Sequence, residues 1–281
     1  MGHDLTGAPI VLTGAGGYLG RHVLALLDGR PLKVHAGRAD GDLTDAAVVR
    51  RLVPEGAVIL HTAAPRPRAA ADYADEAAAT DGLTMVERLL ERRPARFVFT
   101  SSMTVYRDPP ARPVREADAD PPGSGYAGSK RRAELLVAAA GVPGWTLRLP
   151  GLFGGDRRDG LIAALARAYL SGEAPELDAN PPLWAAMDVE DAAAACVAAL
   201  DTEPPAGAAT VVNVGYPGPF SIPDAATRLA RICGAPVPEG PSGAPVFEMD
   251  LTAYRRWFGP PPDRFEAHLG ALVARMREPA A

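Results

Sequence analysis

Short apolar runs recur along the first two thirds of the chain. They are Pro9–Thr13, Leu32–Ala36, Ala57–Thr62, Arg96–Thr100, Trp145–Leu149 and, later, Thr210–Val214. Runs this short read as strands buried on both faces. Between them lie stretches with apolar residues at helical spacing: Tyr18–Asp28, Thr44–Val53, Ala74–Arg93 and Tyr126–Ala140. Strands that alternate with helices predict a parallel sheet covered on both sides. The expected fold class is α/β, a doubly wound parallel sheet of the Rossmann type.

After Leu149 the rhythm changes. Gly151–Asp159 is glycine-rich and reads as a loop; Gly160–Leu170, Val189–Leu200, Ser221–Cys233 and Arg264–Arg275 read as helices. Pro236–Pro245 and Gly259–Pro262 are strong breakers. This half is too interrupted for a second large domain. The expected organisation is a nucleotide-binding domain over 1–150, rejoined by 188–215. A small substrate-binding lobe then comprises 151–187 and 216–281. It lies at the carboxyl edge of the sheet, where open α/β sheets bind ligands.

The first strand runs into Thr13-Gly14-Ala15-Gly16-Gly17-Tyr18-Leu19-Gly20. GxGxxG fails because position 19 is Leu, but GxxGxxG fits through Gly14, Gly17 and Gly20. Glycines permit a tight turn and close backbone approach, and the following helix offers free N–H groups to a pyrophosphate. Gly14, Gly16, Gly17, Tyr18, Leu19 and Gly20 are therefore candidate cofactor contacts. At the end of the second strand an acid would grip the ribose 2′-OH of NAD. Here the chain reads Gly37-Arg38, and Arg38 suits a 2′-phosphate. NADP(H) is the preferred cofactor on this ground, with NAD(H) as the alternative. Asp42, beside Leu43, is placed to accept from the adenine amino group, or to begin the next helix near Thr44.

Composition narrows the partners. The chain has 281 residues, 47% hydrophobic and 22% charged, with net charge -5. That balance argues against nucleic acid or an anionic membrane surface as partner. No run of 18 apolar residues occurs, and a cytoplasmic protein is expected. Cys196 and Cys233 sit alone in apolar helical stretches and read as buried free thiols. With no CxxC and no Cys/His cluster, neither a disulfide framework nor a zinc site is indicated.

Of 29 Lys+Arg, only Lys33 and Lys130 are lysine. Arginine does nearly every cationic task, so a position that stays lysine stands out. Lys130 follows Tyr126 by four residues, one turn along the same helix face. With seven Tyr and two Lys, chance would give such a pair in about 0.05 of chains. Phe97-Val98-Phe99-Thr100-Ser101-Ser102 ends the preceding strand in hydroxyls.

These motifs resemble the extended branch of the short-chain dehydrogenase/reductase superfamily, with its nucleotide-sugar epimerases, dehydratases and 4-ketoreductases. The resemblance rests on the glycine loop, His61-Thr62-Ala63-Ala64, Ser101-Ser102-Met103-Thr104-Val105-Tyr106 and Tyr126-x-x-x-Lys130. It also rests on Leu147-Arg148-Leu149-Pro150, Asp188-Val189-Glu190-Asp191 and Val212-Asn213-Val214-Gly215. It implies that Tyr126 exchanges a proton with the substrate oxygen and that Lys130 lowers the tyrosine pKa and binds the nicotinamide ribose. Ser102 would hold the same substrate oxygen. Ala63, Ala64 and Pro150 join the implied cofactor contacts, and Thr104, Phe153 and Arg157 the implied substrate contacts. Tyr106 reads as packing or pocket lining.

Two departures narrow the reaction. The Asp-Glu pair of the dehydratases aligns with Met103-Thr104, which cannot do paired acid–base work. Gly151 and Asp81 stand where Asn is common. The resemblance thus implies a 4-ketoreductase acting on a nucleotide-linked (dTDP) keto-deoxysugar, or alternatively a 4-epimerase with tightly held NAD. A non-catalytic nucleotide sensor on this fold would usually discard the Tyr/Lys pair. A homodimer through Ala74–Arg93 and Tyr126–Ala140 is also implied.

Overall fold

A computed structural model describes residues 8–65, 67, 70–173, 175, 177, 184–238 and 245–278. The elements in chain order are β1 (Ile10–Thr13), α1 (Tyr18–Leu26), β2 (Leu32–His35), α2 (Ala46–Leu52), β3 (Val58–His61), α3 (Glu76–Leu90), β4 (Arg96–Ser102), α4 (Gly125–Ala139), β5 (Gly144–Leu149), β6 (Gly151–Phe153), α5 (Leu161–Leu170), β7 (Ala186–Asp188), α6 (Val189–Asp201), β8 (Thr210–Asn213), α7 (Ile222–Cys233), α8 (Thr252–Phe258) and α9 (Phe265–Arg277). Short 3₁₀ turns cover Arg38–Asp40, Ala70–Ala74, Met103–Val105 and Glu116–Asp118.

Six strands form one sheet in the order β2-β1-β3-β4-β5-β8, every pair parallel. The order reverses beside β1, which makes the carboxyl ends of β1 and β3 the switch point of a doubly wound sheet. The expected α/β Rossmann-type fold is therefore present. Alternate residues of each central strand serve opposite faces. Leu12, Leu60 and Val98 pack with Val23, Leu27 and the α6 alanines on one side. Val11, Ile59 and Phe97 pack with Val49, Val86, Leu89 and Val137 on the other. Burial on both faces explains why these strands carry no polar alternation.

Five points differ from these expectations. β2 is an edge strand, not a buried one: Lys33 and Val34 are exposed, with Val34 at 40%. The 151–159 segment is not loop throughout, since β6 pairs in parallel with β7 over Gly151–Phe153. The helix after Asp42 is capped by Asp45, whose carboxylate accepts from Ala47 N–H at 2.7 Å. Helix α8 is additional, and Cys233 is only partly buried, whereas Cys196 is fully so.

The later elements pack back on the sheet. Phe265 of α9 meets Phe153 and Phe220 edge-on at 5.7 and 5.1 Å. Trp257 and Phe258 of α8 close over Trp145 of β5 at 5.4 and 4.9 Å. Among the described residues no helix is long and apolar enough to cross a membrane.

Candidate active site

The glycine loop is built by close backbone packing. Gly14 and Ala15 N–H donate to His35 O at 2.8 and 3.0 Å, and Gly16 N–H donates to Ala36 O at 2.9 Å. A Cβ on Gly14, which sits at φ 79°, would meet Ala63 N at 2.5 Å. A Cβ on Gly20 would overlap Gly14 O at 2.0 Å. Helix α1 therefore presses against the turn, as a pyrophosphate cradle requires. Its cap, Gly17, offers no side chain, and its first turn carries no acid. The N–H groups of Tyr18, Leu19 and Gly20 head the helix with no intrahelical acceptor, and the positive dipole end is open to an anion. The residues present fit a dinucleotide.

The Tyr18 ring lies apart from that cradle. Its hydroxyl donates to Gly154 O at 2.9 Å, and the Arg157 guanidinium stacks 5.1 Å from its centroid. Arg157 also donates to Leu152 O at 2.9 Å and pairs with Asp159. The arginine expected at the substrate is thus engaged in fastening the 154–160 loop to α1. Phe153 is buried against Phe265.

At the end of β2, Arg38 donates to Asp81 at 3.2 Å and lies 3.8 Å from Asp42. Asp42 accepts from Thr44 N–H and Oγ1 at 2.9 and 2.8 Å, and these bonds hold its carboxyl below the usual range. Asp40 folds back to accept from Ala36 N–H at 2.6 Å. Leu43 is buried beneath this corner, and Pro150 is buried at the end of β5.

Tyr126 and Lys130 occupy successive turns of α4. The chain enters that helix through Gly125 at φ 59°, where a Cβ would meet Tyr73 O at 2.1 Å. Glu76 accepts from Gly125 N–H at 2.7 Å, which ties the start of α4 to the start of α3. Lys130 is buried and donates from Nζ to Thr100 O at 2.9 Å. Its ammonium stands 5.8 Å from the Tyr126 ring centroid and 4.9 Å from that of Phe99. Burial pushes its pKa down to about 8, against the opposing pull of Glu134.

Together they line a pocket with His61, Ala63, Ala64 and Gly82. His61 is buried, bonds Thr13 Oγ1 through Nδ1 at 2.7 Å and stacks on Phe99. Burial, helped by the Lys130 charge, drops its pKa to about 3, so it stays neutral below the lysine. Tyr126 also faces a cavity of about 300 Å³ bounded by Pro65, Pro67, Asp72 and Asp75. The Tyr73 ring stands edge-on to it at 5.6 Å. Ser102 Oγ accepts from Thr104 N–H at 3.2 Å and from Thr104 Oγ1 at 3.1 Å, so the two expected hydroxyls form one unit. Tyr106 is buried and donates to Asn213 Oδ1 at 2.6 Å.

The structure thus gathers Tyr126, Lys130, Ala63 and Ala64 in one pocket. His61 and Tyr73 are additions. The histidine was visible only as part of a motif, and nothing in the local sequence marks Tyr73.

Comparison with known proteins agrees with this geometry. The family model described as NAD dependent epimerase/dehydratase family matches residues 10–215. A Streptomyces protein, 3-diazoavenalumate denitrifying reductase, is 28% identical over 258 residues, 82% of this chain and 83% of its own length. UDP-N-acetylglucosamine 4-epimerase from Bacillus cereus superposes with TM-score 0.79 at 18% identity, covering 98% of each chain. The Bordetella bronchiseptica enzyme WbmH, solved with NAD+, gives TM-score 0.75 at 23% identity over 96% of this chain and 98% of its own. At these identities the two structures speak for the fold.

Proposed function

The chain belongs to the NAD dependent epimerase/dehydratase family, and on that footing we propose that it is an NAD(P)H-dependent reductase with Tyr126 as its acid. The observation that carries this is Tyr126 one turn before the buried Lys130, in a pocket floored by His61. A free tyrosine, with pKa near 10, is a poor proton donor and a worse base at neutral pH. A buried ammonium beside it favours the phenolate and brings the group into a useful range. When bound, the nicotinamide supplies hydride to the substrate carbon. Tyr126 gives its phenolic proton to the oxygen, Lys130 stabilises the phenolate left behind, and Ser102 orients the oxygen. Lys130 Nζ, which donates to Thr100 O, would also bond a ribose hydroxyl.

The substrate we assign is a nucleotide-linked (dTDP) keto-deoxysugar reduced at C4, in a cytoplasmic homodimer paired through α3 and α4. NADP(H) is the preferred cofactor, through Arg38. The relation to a named reductase supports net reduction over epimerisation. Met103 and Thr104, in place of an acid pair, stand against dehydration.

A second reading is a nucleotide-sugar 4-epimerase that keeps NAD bound. The carboxylates of Asp42 and Asp81 beside Arg38 favour it, because they repel a 2′-phosphate. One experiment separates the two. Purified protein is offered dTDP-4-keto sugars with NADPH or NADH, and UDP-sugars without added cofactor. Stoichiometric loss of reduced cofactor supports the reductase; turnover without it supports the epimerase. Tyr126→Phe should lower either rate by about 10²- to 10⁴-fold. Full activity in that variant would defeat both readings.

A further inference from the structure

Beneath the Tyr126–Lys130 pair, α4 makes a second polar attachment that the reaction as described leaves unused. Glu134, one turn beyond Lys130, is buried and accepts four hydrogen bonds. Two come from Arg148 of β5, at 2.9 and 2.7 Å. One comes from Ser101 Oγ of β4 at 2.6 Å, and one from Arg131 at 3.0 Å. Arg148 is also buried, and its Nη1 donates to Tyr106 Oη and to Glu116 O, each at 2.7 Å.

A fully buried ion pair is weak evidence for stability, since well-packed apolar residues often serve as well. A fully bonded one does fix geometry. Here the fixed parts are those that carry the chemistry. Lys130 grips Thr100 and Glu134 grips Ser101, so consecutive β4 residues hold consecutive turns of α4. Ser102 is the next residue of the strand, and Tyr126 lies one turn before Lys130 on the helix.

We propose that Glu134, held by Arg148 and Ser101, is a positioning residue that sets Tyr126 and Lys130 against Ser102. This deepens the hydride-transfer reading and rests on it. Sliding α4 by a fraction of a turn would move Tyr126 and Lys130 relative to the end of β4, where Ser102 lies, without touching the glycine loop. Glu134 also supplies the negative charge that opposes the loss of the Lys130 proton. Among the described residues, the other charged or titratable groups around the pair include His61 from β3, Arg148 from β5, Arg131 on α4 itself, Glu76 of α3 at the entry to α4, and Asp72, Asp75 and Tyr73 across the cavity.

The test needs no substrate. Full-length protein saturated with NAD+ is titrated in the near ultraviolet, where phenolate absorbs, and the curve of Tyr126→Phe is subtracted. Wild type should show a Tyr126 step below the ordinary value of about 10. Glu134→Gln should raise that step by about one pH unit or more, as Lys130 loses charge or place. Ser101→Ala leaves both charges and removes only the link to β4; it should raise the step by a smaller amount, and Ser101→Thr should restore it. If Glu134→Gln does not fold, Ser101→Ala decides. An unmoved Tyr126 step, with only a lower melting temperature, overturns the positioning role. Absence of any lowered step in wild type overturns the hydride-transfer reading itself, and the proposal with it.

Discussion

Arg38 at the end of β2 reaches Asp81 on α3 at 3.2 Å, so the cation proposed to meet a 2′-phosphate already holds a carboxylate. The pair is solvent-exposed, 71% and 44% at the two side chains. Such pairs contribute about 0.2–1 kcal/mol. A phosphate dianion can displace that contact, yet it must still approach Asp42, 3.8 Å from the same guanidinium.

Asp81→Asn therefore frees Arg38 and removes one repelling charge. It should improve NADP(H) binding relative to NAD(H) by about two- to fivefold, the equivalent of that pair energy. Arg38→Ala should act in the opposite direction. Calorimetric titration with both cofactors checks this; an unchanged ratio in Asp81→Asn would remove Asp81 from the selectivity corner.

On the proposed reading, Lys130 should give the reaction an alkaline limit. Its pKa is about 8, lowered chiefly by burial. Only the ammonium stabilises the Tyr126 phenolate, so kcat should fall about tenfold per pH unit above about pH 8. Lys130→Arg should shift that limb to the pH at which Tyr126 itself loses its proton, because guanidinium does not titrate there, while turning over at least about tenfold more slowly through its different shape. A limb that stays in place in Lys130→Arg belongs to another group.

His61 makes the fold acid-sensitive. Its pKa is about 3 when folded and about 6.5 when exposed. Below pH 6.5 the unfolded chain takes up a proton that the folded chain refuses. Stability should therefore drop by about 1.4 kcal/mol per pH unit as pH falls towards 3. His61→Phe keeps a ring on Phe99 and removes the titration. Urea unfolding at pH 7 and pH 4 should show a smaller difference between the two pH values in the variant; an equal difference assigns the acid sensitivity elsewhere.

The central strands were legible because both of their faces are buried, which leaves an unbroken apolar run. β2 misled because Leu32-Lys33-Val34-His35-Ala36 reads as one apolar run although Lys33 and His35 interrupt it, and Lys33 and Val34 face solvent. β6 and β7 have three residues each, too few for any periodicity, and they pair only because the chain returns from residue 151 to residue 186. Tyr126 and Lys130 stood out by type and spacing. Glu134 did not: four residues after a lysine, it reads as an ordinary surface ion pair, whereas α4 turns Lys130, Ser129 and Glu134 inward. Arg157 read as a loop cation open to a ligand, because its partner Tyr18 lies more than a hundred residues earlier.

The last strand to join the sheet sets a limit on engineering. β8 pairs with β5 from Trp145↔Thr210 to Arg148↔Asn213, and between these strands the chain passes through α5 and α6. A fragment that stops near residue 150 would expose the whole hydrogen-bonding edge of β5, an apolar strand primed to recruit a neighbour. It would also strip Trp145 of Trp257 and Phe258. Grafting a relative's specificity segments onto this scaffold should therefore exchange two separate insertions around α6 and β8, leaving that closing strand in place, instead of swapping everything after a single crossover point.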